Sequence, residues 1–340
     1  MALAAAEQAL PRYSSKYSRH DFTLPQLTAC LLVQRIYRLD LRGAEVLLVE
    51  HEALRQVLGL KSAPDHTTLW RAQRRLPPPR LGRLLDETVR MAERTGLIRP
   101  QRSPGSTLAL DSTSLASGWT SRHSFRFKTR PSACARGGWR GYPKWSIGVD
   151  TCSHLLLAQA ADVGPRHDTC EVQQLVLQAQ HRHSSRILLA DAGYDSTRTL
   201  RLCHTHRLRP IIRVKPPPNC PHPSRVQDPE RRHLLLHLPK RLYGQRWQAE
   251  SFSSSHKRRF GDVLAGRTWR RRARETLLHG VLHNCALLKA ARGSQQSKLG
   301  SPHSSAQLRP KGRGRVLAIT DTYPLVAYPK ERKTIPPRPC

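Results

Sequence analysis

The sequence predicts an α/β fold, a mixed β-sheet flanked by helices and preceded by an all-helical region. Three observations predict it. Residues 22–98 repeat apolar positions at helical spacing. Residues 106–213 bring three strand-length apolar runs in succession, then alternate strand and helix patterns. Two of those strand runs end in an aspartate followed by small turn residues.

The helical region opens with DFTLPQLTACLLVQRIY, and AEVLLVEHEALRQVLGL continues in the same manner. Ala63-Pro64-Asp65 stops that segment, and Asp65 or Thr67 caps the next, HTTLWRAQRRL. This short basic segment follows a tight turn, so it has the form of a recognition helix with Arg71, Arg74 and Arg75 facing phosphate. A solvated basic face of a plain bundle would have the same composition. Pro77-Pro78-Pro79 breaks the chain before one more helix, LGRLLDETVRMAERTGL.

In the second region STLALDST, KWSIGVD and HLLLAQA are the three consecutive strands. HDTCEVQQLVLQAQ reads as a helix with Asp168 as its N-terminal cap rather than a fourth acidic ligand. RILLADAG is a strand ending in Asp191, DSTRTLRLCHTH a helix and RPIIRV a last strand. Residues 215–240, with PPP, PHP and LPK, read as irregular. A helix resumes near Lys240 and passes Lys257, and TWRRRARETLLHGVLHNCALLKAA closes the folded part. The division expected is 1–100 helical and DNA-binding, 101–292 catalytic, and 293–340 a basic, disordered tail.

Charge points to the partner. The 340 residues carry 58 Lys+Arg against 24 Asp+Glu, a formal net charge of +34. Such an excess repels itself unless a polyanion offsets it, and nucleic acid is the usual polyanion. The eight cysteines form no C-x-x-C pair, and Cys203, His204, His206, Cys220 and His222 follow no tetrahedral zinc spacing. The start has no basic, then apolar, leader pattern, and the longest apolar run is too short to cross a bilayer. A reduced, cytoplasmic protein away from membranes is expected.

Asp111 in LALDSTS and Asp191 in LLADAGYDS occupy equivalent places, each after a buried strand. Two carboxylates held by neighbouring rigid strands can share a divalent metal. A third element accompanies them. In YGQRWQAESFSSSHK, Tyr243, Arg246, Glu250 and Lys257 stand at offsets of three, four and seven, along one stripe of a helix. That stripe presents a carboxylate flanked by two phosphate-binding cations.

Tyr-(x2)-Arg-(x3)-Glu-(x6)-Lys resembles the signature of a large group of insertion-sequence DDE transposases. The run 191–196, Asp-Ala-Gly-Tyr-Asp-Ser, looks like that group's second-Asp motif, Asp111 with Ser112 and Thr113 like its first, and His283-Asn284 like its ending. The resemblance covers about residues 20–290. It implies a ribonuclease H-like core, with Asp111, Asp191 and Glu250 as catalytic residues and ligands of two Mg²⁺ ions, for which Mn²⁺ substitutes. It also implies Tyr243, Arg246 and Lys257 on DNA, with double-stranded DNA as partner at terminal inverted repeats and at target. A homodimer on DNA is expected, in a bacterial, nucleoid-associated setting. Only about residues 214–240 separate the last strand from the glutamate helix, which leaves no room for the large β-rich insertion of some relatives. Three other readings share parts of the pattern: a catalytically inactive or domesticated DNA-binding protein, a non-joining nuclease of the same fold, and a basic RNA-binding protein.

Overall fold

The computed structural model describes residues 1–299 apart from Ser14, Ser18, 100–102, 104–105, 118–140, 216–223 and 225, with side chains as far as Gly293. The chain divides into two compact units, Met1–Arg292 and Gly293–Cys340. The basic tail expected from the sequence lies outside the described residues beyond Leu299, as do Cys220 and His222 of the cysteine–histidine cluster.

Six helices open the first unit: α1 (Ala2–Ala9), α2 (Leu24–Ile36), α3 (Leu41–Glu50), α4 (Glu52–Val57), α5 (His66–Arg74) and α6 (Pro78–Arg94). Their starts follow from local chemistry. Thr23 and Gln26 form a reciprocal capping box at α2, with Gln26 N–H on Thr23 Oγ1 at 3.3 Å and Thr23 N–H on Gln26 Oε1 at 2.9 Å. Asp40 caps α3, and Asp65 caps α5 by accepting from Thr68 N–H at 2.7 Å, as its sequence position predicts. The single expected segment Ala44–Leu60 is two helices, hinged at His51. Helix α1 is absent from the sequence reading: MALAAAEQAL is alanine-rich and short of large apolar residues. Its Ala5 and Ala6 nevertheless pack in the core with α2 and α6.

The sheet has five strands: β1 (Thr107–Ser114), β3 (Tyr142–Asp150), β4 (Leu156–Gly164), β5 (Ile187–Ala190) and β6 (Arg209–Ile212), in the order β4-β3-β1-β5-β6. β1 pairs antiparallel with β3 and β3 with β4, while β1–β5 and β5–β6 are parallel. Three antiparallel strands continued by two parallel ones is the ribonuclease H-like arrangement, a mixed sheet flanked by helices. Two further strands of two residues each, β2 (Ala116–Ser117) and β7 (Val263–Leu264), pair with one another. They are too short for a period-2 pattern to reveal.

Helices α7 (Val172–Arg182) and α8 (Thr197–Thr205) follow β4 and β5. Residues 215–240, expected to be irregular, contain α9 (Pro229–Leu236), whose start is fixed by Asp228 accepting from Glu230 and Arg231 N–H and by proline in its first turn. Then come α10 (Lys240–Tyr243), α11 (Trp247–Phe260) and α12 (Trp269–Leu299). Strand alternation sorts the two faces of the sheet. Trp145 of β3 lies against Phe252 and His256 of α11, whereas its neighbour Lys144 points to Glu171 at the start of α7. α12 closes on β4 through Asn284, which accepts from Leu156 N–H at 2.9 Å and donates to Leu156 O and Thr88 Oγ1 at 3.0 Å. Gly280 makes this approach possible, since a Cβ there would stand 2.2 Å from Gln159 Oε1.

Candidate active site

Backbone pairing brings the two aspartates together. Leu108 and Ala109 of β1 pair in parallel with Leu188 and Leu189 of β5, and two further residues in that register set Asp111 beside Asp191. Ala109 and Leu189 bury against Ala249 of α11, with Tyr243 partly buried at the edge of that cluster. By alternation Asp111 and Asp191 lie on the same face, where the sheet meets the glutamate helix. Burial pushes the Asp111 carboxyl up to about 6, and the charges of Glu250 and Asp191 push the same way. The Ser112 amide and Arg246 act against them.

The stripe predicted for Tyr243, Arg246, Glu250 and Lys257 is not one continuous α-helix. Residues 244–246 form a 3₁₀ turn between α10 and α11. The side chains still gather. Arg246 Nη2 donates to Glu250 Oε1 at 2.5 Å, and the guanidinium lies 5.7 Å from the Tyr243 ring centre. Lys257 Nζ donates to Ser114 O at 2.8 Å, tying α11 to the end of β1. Arg71, Arg74 and Arg75 are exposed on and just after α5, a helix that packs on α2 and α3.

Asp168 is not the cap that its sequence position suggests. α7 begins at Val172, and Asp168 sits in a 3₁₀ turn whose residues make no side-chain cap. Its carboxylate accepts from Ser112 Oγ at 2.6 Å and from the buried Lys144 Nζ at 2.8 Å. Lys144 also donates to Glu171 at 3.0 Å and to Arg166 O at 2.8 Å. Gly193 separates this acid from Asp191: a Cβ there would come 2.7 Å from Asp168 Oδ2 and 3.0 Å from Asp191 Oδ1. Tyr194 is buried beside them, its phenol held far above its ordinary value by burial and then by Asp168, Asp111 and Asp191.

The model of the transposase DDE domain matches residues 102–285, which include every one of these acidic residues. This chain belongs to the transposase DDE domain family. That membership makes it one of a family of polynucleotidyl transferases and endonucleases. Among solved structures, the crystal structure of a pre-cleavage Mos1 transpososome is similar at 11% identity, covering 84% of this chain and 82% of that one, with a TM-score of 0.21. A likeness that loose carries no statement about chemistry. No curated protein matches the chain significantly.

The donor set of this DDE domain suits a divalent cation in part. Asp111, within β1, and Asp191, just past the end of β5, offer hard oxygen ligands from adjacent strands, and burial raises the Asp111 carboxyl. Glu250 is half exposed and bonded to Arg246. Among the described residues no three acidic, histidine or cysteine side chains already stand close enough to hold a metal. Arg246 engages one oxygen of the Glu250 carboxylate, Oε1.

Sequence reasoning missed Lys144 as part of the site, gave Ser112 and Tyr194 only as members of the two Asp motifs, and read Asp168 as a helix cap. Lys144 stands in YPKWSIGVD, where a lysine inside an apolar run is the one signal that would have pointed to a buried counter-ion.

Proposed function

We propose that the chain is a DNA transposase that binds the terminal inverted repeats of an insertion sequence and catalyses metal-dependent phosphodiester hydrolysis and strand transfer. The observation that carries this reading is the register of β1 on β5, which sets Asp111 beside Asp191 under the helix of Glu250. The Tyr243–Arg246–Glu250–Lys257 run supports the assignment to the group with that signature.

Asp111, Asp191 and Glu250 would hold two Mg²⁺ ions, with Mn²⁺ as substitute. Bound divalent cations would neutralise the phosphodiester charge and make water and a strand's 3′-hydroxyl effective nucleophiles. The chain's own groups do the rest. Arg246 and Lys257 bind backbone phosphates beside the scissile bond, and Arg246 does so once it releases Glu250. Tyr243, at the lip of the site, stacks on or hydrogen-bonds the strand end. Lys144 and Ser112 keep Asp168 from adding a free negative charge where a phosphate must enter. Arg71, Arg74 and Arg75 bind the inverted repeats, and a dimer holds the two ends together.

A second reading, an inactive DNA-binding descendant, draws on the Arg246–Glu250 ion pair, which leaves the third acid engaged. Incubation of the protein and Mg²⁺ with a plasmid carrying both flanks of the gene separates the two. Cuts at paired inverted repeats with joined products, lost in Asp191→Ala and Glu250→Ala, support the transposase. Binding to the flanks without cutting supports the inactive descendant.

A further inference from the structure

Helix α12 starts with charge in the wrong place. Its first turns read WRRRARE, with Arg270, Arg271, Arg272 and Arg274 and no acid in the first turn. A helix N-terminus already carries partial positive charge, so cations there are unfavourable unless an anion meets them. The one carboxylate of the α12 sequence, Glu275, is fully buried and already committed. It takes Arg35 at 3.0 Å, Arg271 at 3.2 Å, Gln73 at 3.3 Å and the amide of Gly266 at 3.1 Å. Arg272 donates to the carbonyls of Gly266 and Arg267. Arg270 and Arg274 have no ion-pair partner among the described residues.

The Gln73–Glu275 bond also joins α12 to α5, and α5 brings more of the same charge. Arg71 and Arg75, like Arg270 and Arg274, are like-charged pairs four residues apart, an arrangement that costs a helix stability. Arg74 lies over the Trp70 ring at 4.8 Å, and Trp70 is 40% exposed, an apolar face left open beside the guanidinium. Arg274 feels the field directly: burial, then repulsion from Arg74 and Arg270, holds it below the usual arginine value. Two helix ends thus converge on one cationic patch that nothing described in the fold neutralises.

We propose that the last turn of α5 and the first turns of α12 form one phosphate-binding surface for duplex DNA. Arg71, Arg74, Arg75, Arg270 and Arg274 contact backbone phosphates and Trp70 packs on the sugar edge. The proposal rests on the DNA-binding reading above and extends it: the N-terminal helices do not hold DNA alone, because the closing helix of the catalytic region supplies part of the grip. Both elements belong to the same compact unit, so the surface is set by the fold.

The test is the salt dependence of binding by the full chain to a short mixed-sequence duplex. Arg270→Gln/Arg274→Gln is expected to lower the slope of log affinity against log salt by about 2, near 0.9 for each phosphate no longer neutralised. Arg71→Gln/Arg74→Gln is expected to lower it by a similar amount. Lysine at the same positions should restore the slope, and thermal stability should hold or rise as repulsion is relieved. A full slope in Arg270→Gln/Arg274→Gln, with a reduced one in the α5 pair, overturns the joint surface and leaves DNA binding by α5 standing. Failure of the unaltered chain to bind the duplex at all overturns the DNA-binding reading beneath it. Tighter binding to a structured RNA, with the same slope losses, would make RNA the partner and also overturn the proposal.

Discussion

The ammonium of Lys144, 4% exposed, lies 2.8 Å from a carboxylate oxygen of Asp168, the acid that also takes the hydroxyl of Ser112 at 2.6 Å. Ser112 follows Asp111 in β1, and Asp168 faces Asp191 across Gly193. One buried cation therefore holds, through Asp168, the strand residue next to Asp111. Hydrogen bonds and charge from Asp168 and Glu171 together outweigh the cost of burying Lys144 and raise its value above that of an ordinary lysine.

Lys144→Met should destabilise the fold by about 3–5 kcal/mol, because Asp168 and Glu171 lose their buried counter-ion. Lys144→Met with Glu171→Gln should recover part of that loss. Chemical denaturation of the three proteins checks this, and a loss below about 1 kcal/mol in the single variant would show that the ammonium is not a structural counter-ion.

Glu250→Gln should separate chemistry from folding. The side chain is 55% exposed and its described partner is Arg246. Exposed pairs contribute little, so stability should change by less than about 1 kcal/mol. Cleavage should fall by roughly three orders of magnitude or more if Glu250 is a ligand of the catalytic ions. Retained cleavage at normal stability would remove Glu250 from the site.

Stability should fall in mild acid through three buried histidines. His256 Nε2 and His279 Nδ1 are 2.7 Å apart, with Trp145 and Phe252 packed around them. His279 is lowered to about 3 by burial and then by Arg35. His283 is lowered to about 4 by burial, partly opposed by its bond to His154 O. His256 is lowered by burial, then by the neighbouring His279, His283, Arg259 and Lys257. Folded values below the unfolded one mean that the unfolded chain takes up protons first. Stability is then full above about 6.5, and each such histidine costs about 1.4 kcal/mol per pH unit below it, down to its folded value. Melting curves between pH 7.5 and 5 should show this slope, and His279→Gln should flatten it; an equal slope in that variant would rule out His279 as a source.

Asn284→Leu should cost roughly 2–4 kcal/mol, because both backbone groups of Leu156 lose their side-chain partner in a buried place and the hydroxyl of Thr88 keeps only its bond to Leu85 O. Denaturation measures the loss, and Asn284→Asp should not rescue it, since a carboxylate cannot donate to Leu156 O.

The strands and their acids were legible because buried strands must be apolar runs and a carboxylate at such a run's end stands out. Asp111 and Asp191 are therefore visible in LALDSTS and LLADAGYDS from local pattern alone. The helix start at Asp65 was legible for a similar local reason, a side chain satisfying free amides. Helix α1 and α9 were not. One lacks large apolar residues, and the other lies in a proline-rich stretch where proline serves as a helix start and not as a break.

By itself, then, the sequence determined the succession of the five sheet strands, the cationic excess, and the identity of the residues on offer, because these depend on local pattern and composition. Tertiary structure decided which of them meet. Strand register paired Ala109 with Leu189, 80 residues apart, and so directed Asp111 and Asp191 to one side of the sheet, which no local spacing encodes. The fold turned Asp168 from a helix cap toward Lys144, 24 residues away on another element, because a buried ammonium offers a carboxylate more than free amides do. It also brought the end of α5 to the start of α12 through Glu275. Long-range contacts are selected by packing and charge compensation in three dimensions, and a linear pattern carries neither.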